Sequence, residues 1–331
     1  MSNSLRHLAP EFSIDEAKEI AMKFYNLNEF VCQLPSERDQ NFLFQNNQSK
    51  FILKISNISE IYSIIDMQNC VMEHINTSSR CLPSLDGQMI ITYKNHFIRL
   101  INYLPGVPLG NYQPHTAKLL INLGKVLGEI DKSLYEFKHE SMKRDLYWNM
   151  MNAEKIINTY KHLIINKNHY EIIEDILKDW IKFVIPQVSL LRCSVIHNDA
   201  NDYNIIVTDE ETVGLIDFGD LCETFTVCEA AIACAYIMLD KDDPIDAATN
   251  LIYGYNEIFP FEKIEIDLIY YFIRMRLAMS VTISAHQKQI QPKNQYLVIS
   301  EKPAWNLLEK LTNINSNIAH QTFRSICHFS N

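Results

Sequence analysis

His197, Asp199 and Asn204 fall in the run VIHNDANDYNIIV at 195–207, in the order H-x-D-x-x-x-x-N. Asp217 follows thirteen residues after Asn204, in LIDFG, and Lys54 lies far upstream in FILKI. A lysine on a β-rich segment, an aspartate five residues ahead of an asparagine and a later aspartate before Phe-Gly are the parts that phosphoryl transfer from a nucleoside triphosphate requires. Its transition state is loose, so the protein mainly positions groups and offsets charge. Asp199 would orient the attacking hydroxyl and take its proton late. Asn204 offers a neutral oxygen and Asp217 an anionic one to Mg²⁺, a hard cation that fills its shell with oxygen ligands, phosphates and water. Lys54 would meet nucleotide phosphate as a point charge. His197 reads as a loop brace, since Asp199 already fills the acid–base role. The blander reading is a polar turn whose Asn and Asp side chains satisfy one another. The flanking strands and the two outlying residues weigh against it.

Such a loop needs rigid flanks, and the periodicities supply them. Ser13 and Glu16 have capping-box spacing at the head of a helix over 13–25. FVCQL, NFLFQ and KFILKI then read as three antiparallel strands joined by PSERD and NNQS. A helical period returns over 59–75, and QMIITY with HFIRLINYL reads as a further strand pair. LPGVPLGNYQP at 104–114 holds three prolines and two glycines and reads as a linker. Helices are expected over roughly 115–137, 142–165, 169–191, 226–239, 245–257 and 262–288, with SVIH and NIIV pairing as a hairpin that leads into VGLIDFG. The pattern gives an α+β fold of two lobes. Residues 1–103 form a β-rich, nucleotide-binding N-lobe, and 104–331 a mainly helical C-lobe with the catalytic loop and substrate site.

Composition narrows the partners. Of 331 residues, 47% are hydrophobic and 21% charged, the balance of a globular protein. A formal net charge of −10 disfavours nucleic acid, which needs Lys and Arg against phosphate, and mildly favours an amine-bearing ligand. The eight cysteines form no C-x-x-C pair. No secretory h-region or membrane span is evident, so a cytoplasmic protein acting on a small molecule is expected. Oligomeric state is not legible.

The chain resembles the aminoglycoside phosphotransferase family, within the protein-kinase-like fold, and is most similar to its hydroxylysine-kinase-like branch. The resembling stretches are SERDQNFLF, FILKISN, IRLINYLPGVPL, LGKVLGEIDKSL, RDLYW, VIHNDANDYNIIV, IDFGD, CEAAIACAY and PKNQYLVISEKPAW. The resemblance implies a kinase that moves the γ-phosphoryl of ATP or GTP to a hydroxyl of an amine-bearing metabolite, 5-hydroxylysine or a similar amino alcohol. Aminoglycoside, homoserine and choline-like acceptors stay open. Ile101 and Tyr103 are implied nucleotide contacts. Asp202, Asp220 and Glu223 flank the metal residues; the resemblance implies that acids after D-F-G can recognise substrate amines, and a solvated loop is the alternative reading. Arg276 could read a substrate carboxylate with its planar donors, although pairing with Glu229 or another acid is the default. Trp148 and Trp305 read as core.

Two departures from a standard kinase matter. The PSERD turn has no glycine, leaving Ser36 and the turn amides to touch phosphate. On the 59–75 helix, the apolar stripe turns Asp66 and Glu73 outward and centres on Gln68, which by family register stands where a glutamate would brace Lys54. The expectation is that Lys54 meets Gln68, or an acid from elsewhere, and that it is loosely held without nucleotide. Both departures also keep open a nucleotide-binding pseudokinase scaffold.

Overall fold

The computed structural model describes residues 9–36, 38–47, 49–75, 79–209, 213–290 and 300–329. The chain divides into two compact units. The first runs to Pro105 and takes in His139–Met142; the second comprises Gly106–Lys138 and everything from Lys143 onward.

In the first unit, helix α1 (Ile14–Tyr25) opens on the expected capping box, with Ser13 Oγ accepting from the Glu16 N–H and Glu16 Oε2 accepting from the Ser13 N–H. Strands β1 (Glu29–Leu34), β2 (Gln40–Asn46) and β3 (Ser49–Ile55) are followed by α2 (Tyr62–His74), then β4 (Cys81–Leu82), β5 (Ile91–Tyr93) and β6 (His96–Asn102). The antiparallel sheet runs β1-β2-β3-β6-β4, with β5 also on β6. Its side chains alternate between faces. Phe42, Phe44, Leu53, Ile55, Ile98 and Leu100 pack with Ala17, Ile20 and Ala21 of α1 in one core. The residues between them, Lys54 and Arg99 included, point to the other face, where Arg99 meets Gln68 and Asn69 of α2.

The second unit starts inside the expected linker. Val107–Pro108 is a strand, β7, and Gly106 has φ +137°, where any Cβ would collide with the Val207 carbonyl. There follow α3 (Ala117–Leu134), α4 (Ala153–Tyr160), α5 (Lys167–Asp179), β8 (Cys193–Ile196), β9 (Ile205–Val207), β10 (Val213–Leu215), β11 (Cys222–Phe225), α6 (Val227–Ile237), α7 (Pro244–Ile258), α8 (Lys263–Ile290), α9 (Glu301–Thr312) and α10 (Ser316–Ile326). The helix expected over 142–165 is regular only across α4. Upstream, Asn149 accepts from the Met151 N–H and Asn152 donates to Asp145 and Leu146, side-chain bonds that compete with a helix.

The expected hairpin does not form. β8 pairs with β11, while β9 pairs with β10 and β7. Residues 197–204 therefore bridge two small sheets. Period and turn chemistry identify strands, but they do not choose partners that are distant in sequence.

The helices pack closely beneath. α6 is buried along nearly its whole length, as a helix apolar on all sides must be. α3 and α7 cross at Gly124 and Gly254, where a Cβ would overlap the carbonyl oxygens of Leu251 and Ile121 respectively. Beside that crossing the Tyr255 hydroxyl donates to buried Asp131 at 2.6 Å. Among the described residues no helix is long and apolar enough to cross a membrane. Of the resembling stretch at 292–305, residues 292–299 lie outside them.

Candidate active site

The loop after β8 is built around Asp199. Asn201 starts the turn, its Oδ1 accepting from the N–H groups of Tyr203 and Asn204 at 2.9 and 3.1 Å. Three donors converge on the Asp199 carboxylate: Arg276 Nη2 on Oδ1 at 3.0 Å, and Asn201 Nδ2 and Asn204 Nδ2 on Oδ2 at 3.0 and 2.7 Å. A carboxylate offers about four lone-pair sites, so one is left for an incoming hydroxyl. The side chain keeps 22% of its surface exposed, yet it lies among so many protein atoms that burial pushes its pKa up to about 7. Arg276 pulls it down, while Asp220 and Asp217 push it up.

His197 holds the loop from beneath. Its Nε2 donates to the Ile216 carbonyl at 3.0 Å, its Nδ1 accepts from the Asp199 N–H at 3.3 Å, and its ring meets Phe218 edge-on. Ile216 in turn donates to the Asn204 carbonyl, which sets Asp217 beside Asn204 across the β9–β10 pair. Asn198 and Asp217 both have positive φ, +65° and +62°. Asn and Asp tolerate this region better than other non-glycine residues. The Asn198 N–H is anchored by fully buried Glu229 Oε2 at 2.9 Å, which answers the requirement for a partner on that apolar helix. Burial raises the Glu229 pKa, and His197 opposes the rise.

The donor set suits a hard cation. Asn204 spends its amide nitrogen on the main-chain and side-chain oxygens of Asp199, and among the described residues nothing donates to its Oδ1. That oxygen and the Asp217 carboxylate are the pair to which Mg²⁺ would bind.

The substrate candidates separate. Asp202 is largely enclosed by Gly110 and the loop, its Oδ1 has no partner among the described residues, and burial raises its pKa to about 6. Asp220 is buried and acts electrostatically on both Asp199 and Arg276. Glu223 instead lies in β11 and lines a pocket with Lys143, Arg144 and Asn152, to which no residue of the catalytic loop contributes. Arg276 is not an open reader of carboxylates: 1% exposed, it is the ion-pair partner of Asp199, the default its burial implied. Its guanidinium covers Trp148 at 4.6 Å, so Trp148 is half-buried site lining, while Trp305 is core. Asn201, Tyr236 and Trp148 lie inside the quoted stretches, but the sequence reading does not assign them to the site and takes Trp148 as core.

In the first unit Lys54 is 8% exposed, and its Nζ pairs with Asp39 Oδ2 at 3.1 Å. Gln68 is buried as its helix period predicts, but its Oε1 accepts from Arg99 Nη2 at 2.8 Å and does not meet Lys54. The reason is register. Lys54 and Arg99 face one another across β3 and β6, and Arg99 takes the α2 amides. Asp66 turns to His139, whose Nδ1 accepts from the Ser141 N–H. Lys54 thus meets the second of its expected partners, an acid from elsewhere in the fold, and not Gln68, Asp66 or Glu73. Ser36 Oγ accepts from the Asp39 N–H at 3.2 Å. Ile101, opposite Ile52, shares the Lys54 face, and Tyr103 continues the edge through its N–H to the Lys50 carbonyl.

Comparison with known proteins agrees with this chemistry. Residues 31–263 match the phosphotransferase enzyme family (APH), and the chain belongs to that family. It is 27% identical to hydroxylysine kinase of Xenopus laevis, over 93% of this chain and 92% of that protein. It is 26% identical to hydroxylysine kinase of Mus musculus, over 91% and 90%. Among solved structures it is similar to amicoumacin kinase hAmiN in complex with AMP-PNP, Ca²⁺ and Ami (TM-score 0.71, 13% identity, 97% and 99% coverage). It is also similar to a microcompartment-associated aminopropanol kinase (TM-score 0.65, 13% identity, 94% and 100% coverage). The fold is thus the two-lobed kinase-like fold of this family, and the protein is a small-molecule phosphotransferase with an alcohol acceptor.

Proposed function

We propose that the protein phosphorylates the hydroxyl of 5-hydroxylysine or a closely related amino alcohol in the cytoplasm, with ATP or GTP and Mg²⁺. The observation that carries the reading is the Asp199 carboxylate, held by three donors with one lone-pair site left over. Asp199 aligns the acceptor hydroxyl and takes its proton as the phosphoryl group departs the nucleotide. Asn204 and Asp217 would hold Mg²⁺, which would supply positive charge against the phosphate charge that develops. Lys54 meets the nucleotide phosphates, with Ser36, Ile101 and Tyr103 as further nucleotide contacts. Asp202 is the favoured partner for the acceptor's ammonium, because its unpartnered Oδ1 lacks a counter-charge. Tyr236 links the two acids, since both charges act on it. The relatives' names support hydroxylysine in particular.

The test is turnover across amino alcohols with both nucleotides. Hydroxylysine should be consumed, its N-acetylated form should not, and Asp202→Asn should raise the acceptor KM alone. Nucleotide binding without turnover of any amino alcohol would favour the scaffold reading.

A further inference from the structure

We infer that Asp39, in the turn between β1 and β2, is the positioning residue for Lys54, the task that a helix glutamate performs in other kinases of this fold. The inference rests on the reading of Lys54 as the nucleotide lysine.

Four observations within the first unit carry it. Lys54 and Arg99 are directly opposed cations on one sheet face, an arrangement that repels unless each is neutralised separately. Arg99 is bound by amide oxygens of α2, at 2.8 Å from both Gln68 and Asn69. Asp66 and Glu73, the α2 carboxylates on the outward face, do not reach Lys54. Asp39 does, and it is itself oriented. Its Oδ1 accepts from the Asn57 N–H at 3.0 Å and its own N–H donates to Ser36, so Oδ2 is the atom presented to Lys54. The side chains of Lys54 and Asp39 keep only 10% and 17% of their surface. A shielded, charge-assisted bond of this kind fixes a flexible lysine before nucleotide arrives.

A carboxylate in the turn expected to cover phosphate could act in the opposite way, by repelling the nucleotide. The two roles have opposite signs, which makes the inference decidable. Calorimetry with Mg²⁺·AMP-PNP and Mg²⁺·GMP-PNP reads binding whether or not the acceptor has been identified, so failure of the substrate reading does not disturb it. Asp39→Asn should weaken nucleotide binding about ten- to a hundredfold, the range of a hydrogen bond to a charged group. In a turnover assay it should raise nucleotide KM and leave acceptor KM in place. Asp39→Glu should recover part of the loss. In a Lys54→Met background Asp39→Asn should add nothing, and exposed Glu73→Gln should leave every constant unchanged. If Asp39→Asn does not accumulate folded, Asp39→Glu alone carries the test through its raised nucleotide KM. Equal or tighter binding in Asp39→Asn, or a loss that persists in full without Lys54, overturns the inference.

Discussion

Replacing Arg276 by methionine keeps an unbranched stem against Trp148 and removes one charge from Asp199. Four groups act on the Asp199 carboxyl besides its burial: Arg276 and the Asn201 hydrogen bond favour ionisation, while Asp220 and Asp217 oppose it. Their balance with burial places its pKa at about 7. An opposite charge at this range lowers a carboxyl by about 1–3 pH units, so the variant should titrate above the native protein. The base must be ionised to receive the hydroxyl proton, so the acid limb of the kcat profile moves to higher pH. At pH 7 the variant carries the smaller ionised fraction. Activity should therefore drop steeply at neutral pH and recover as pH rises. The assay is kcat against pH for both proteins, with metal–nucleotide and acceptor saturating throughout, so that the difference between the limbs reports Arg276. A parallel loss at every pH, with the limb unmoved, would mean that Arg276 only supports structure and would refute the electrostatic argument.

Asp199→Asn should cost about 10²–10⁴ in turnover, the range for a general base, while Mg²⁺·AMP-PNP affinity measured by calorimetry stays put. Asp217→Ala should abolish the Mg²⁺ dependence of nucleotide binding, and an unchanged metal titration would remove Asp217 from the cation site. Gly254→Ala drives a methyl into the Ile121 main chain, which cannot yield as a side chain could. Overpacking of about 1–3 kcal/mol should outweigh the roughly 1 kcal/mol of helix propensity gained, and an unaltered melting temperature would show that α3 and α7 separate freely.

The sequence carried the parts of the site that lie close together in the chain. The spacing of His197, Asp199, Asn204 and Asp217 survives translation into space because one loop and one strand pair hold them all. The α1 cap was legible because Ser13 and Glu16 are local. The α2 stripe correctly turned Gln68 inward but said nothing about which cation would meet it; that depended on the β3–β6 register. Asp39 was hidden because it approaches Lys54 only after the sheet closes. Arg276 lies 77 positions from Asp199, and β8 passes over its near neighbour for β11. Positive φ at Asn198 and Asp217 leaves no periodic signature at all. Apart from Asn201, whose turn is local, these misses are long-range pairings or backbone states, neither of which spacing records.

The Lys54–Asp39 pair bears on how such an enzyme could be governed. Many kinases keep an off state in which a helix swings away and takes the lysine's glutamate with it. Here the partner sits in a turn joined covalently to the same sheet as the lysine, and α2 is fastened to that sheet through buried Arg99. No displacement of α2 alone would part Lys54 from its acid. In a catalyst built this way the lysine and its acid come together as the sheet folds, without waiting on the helix.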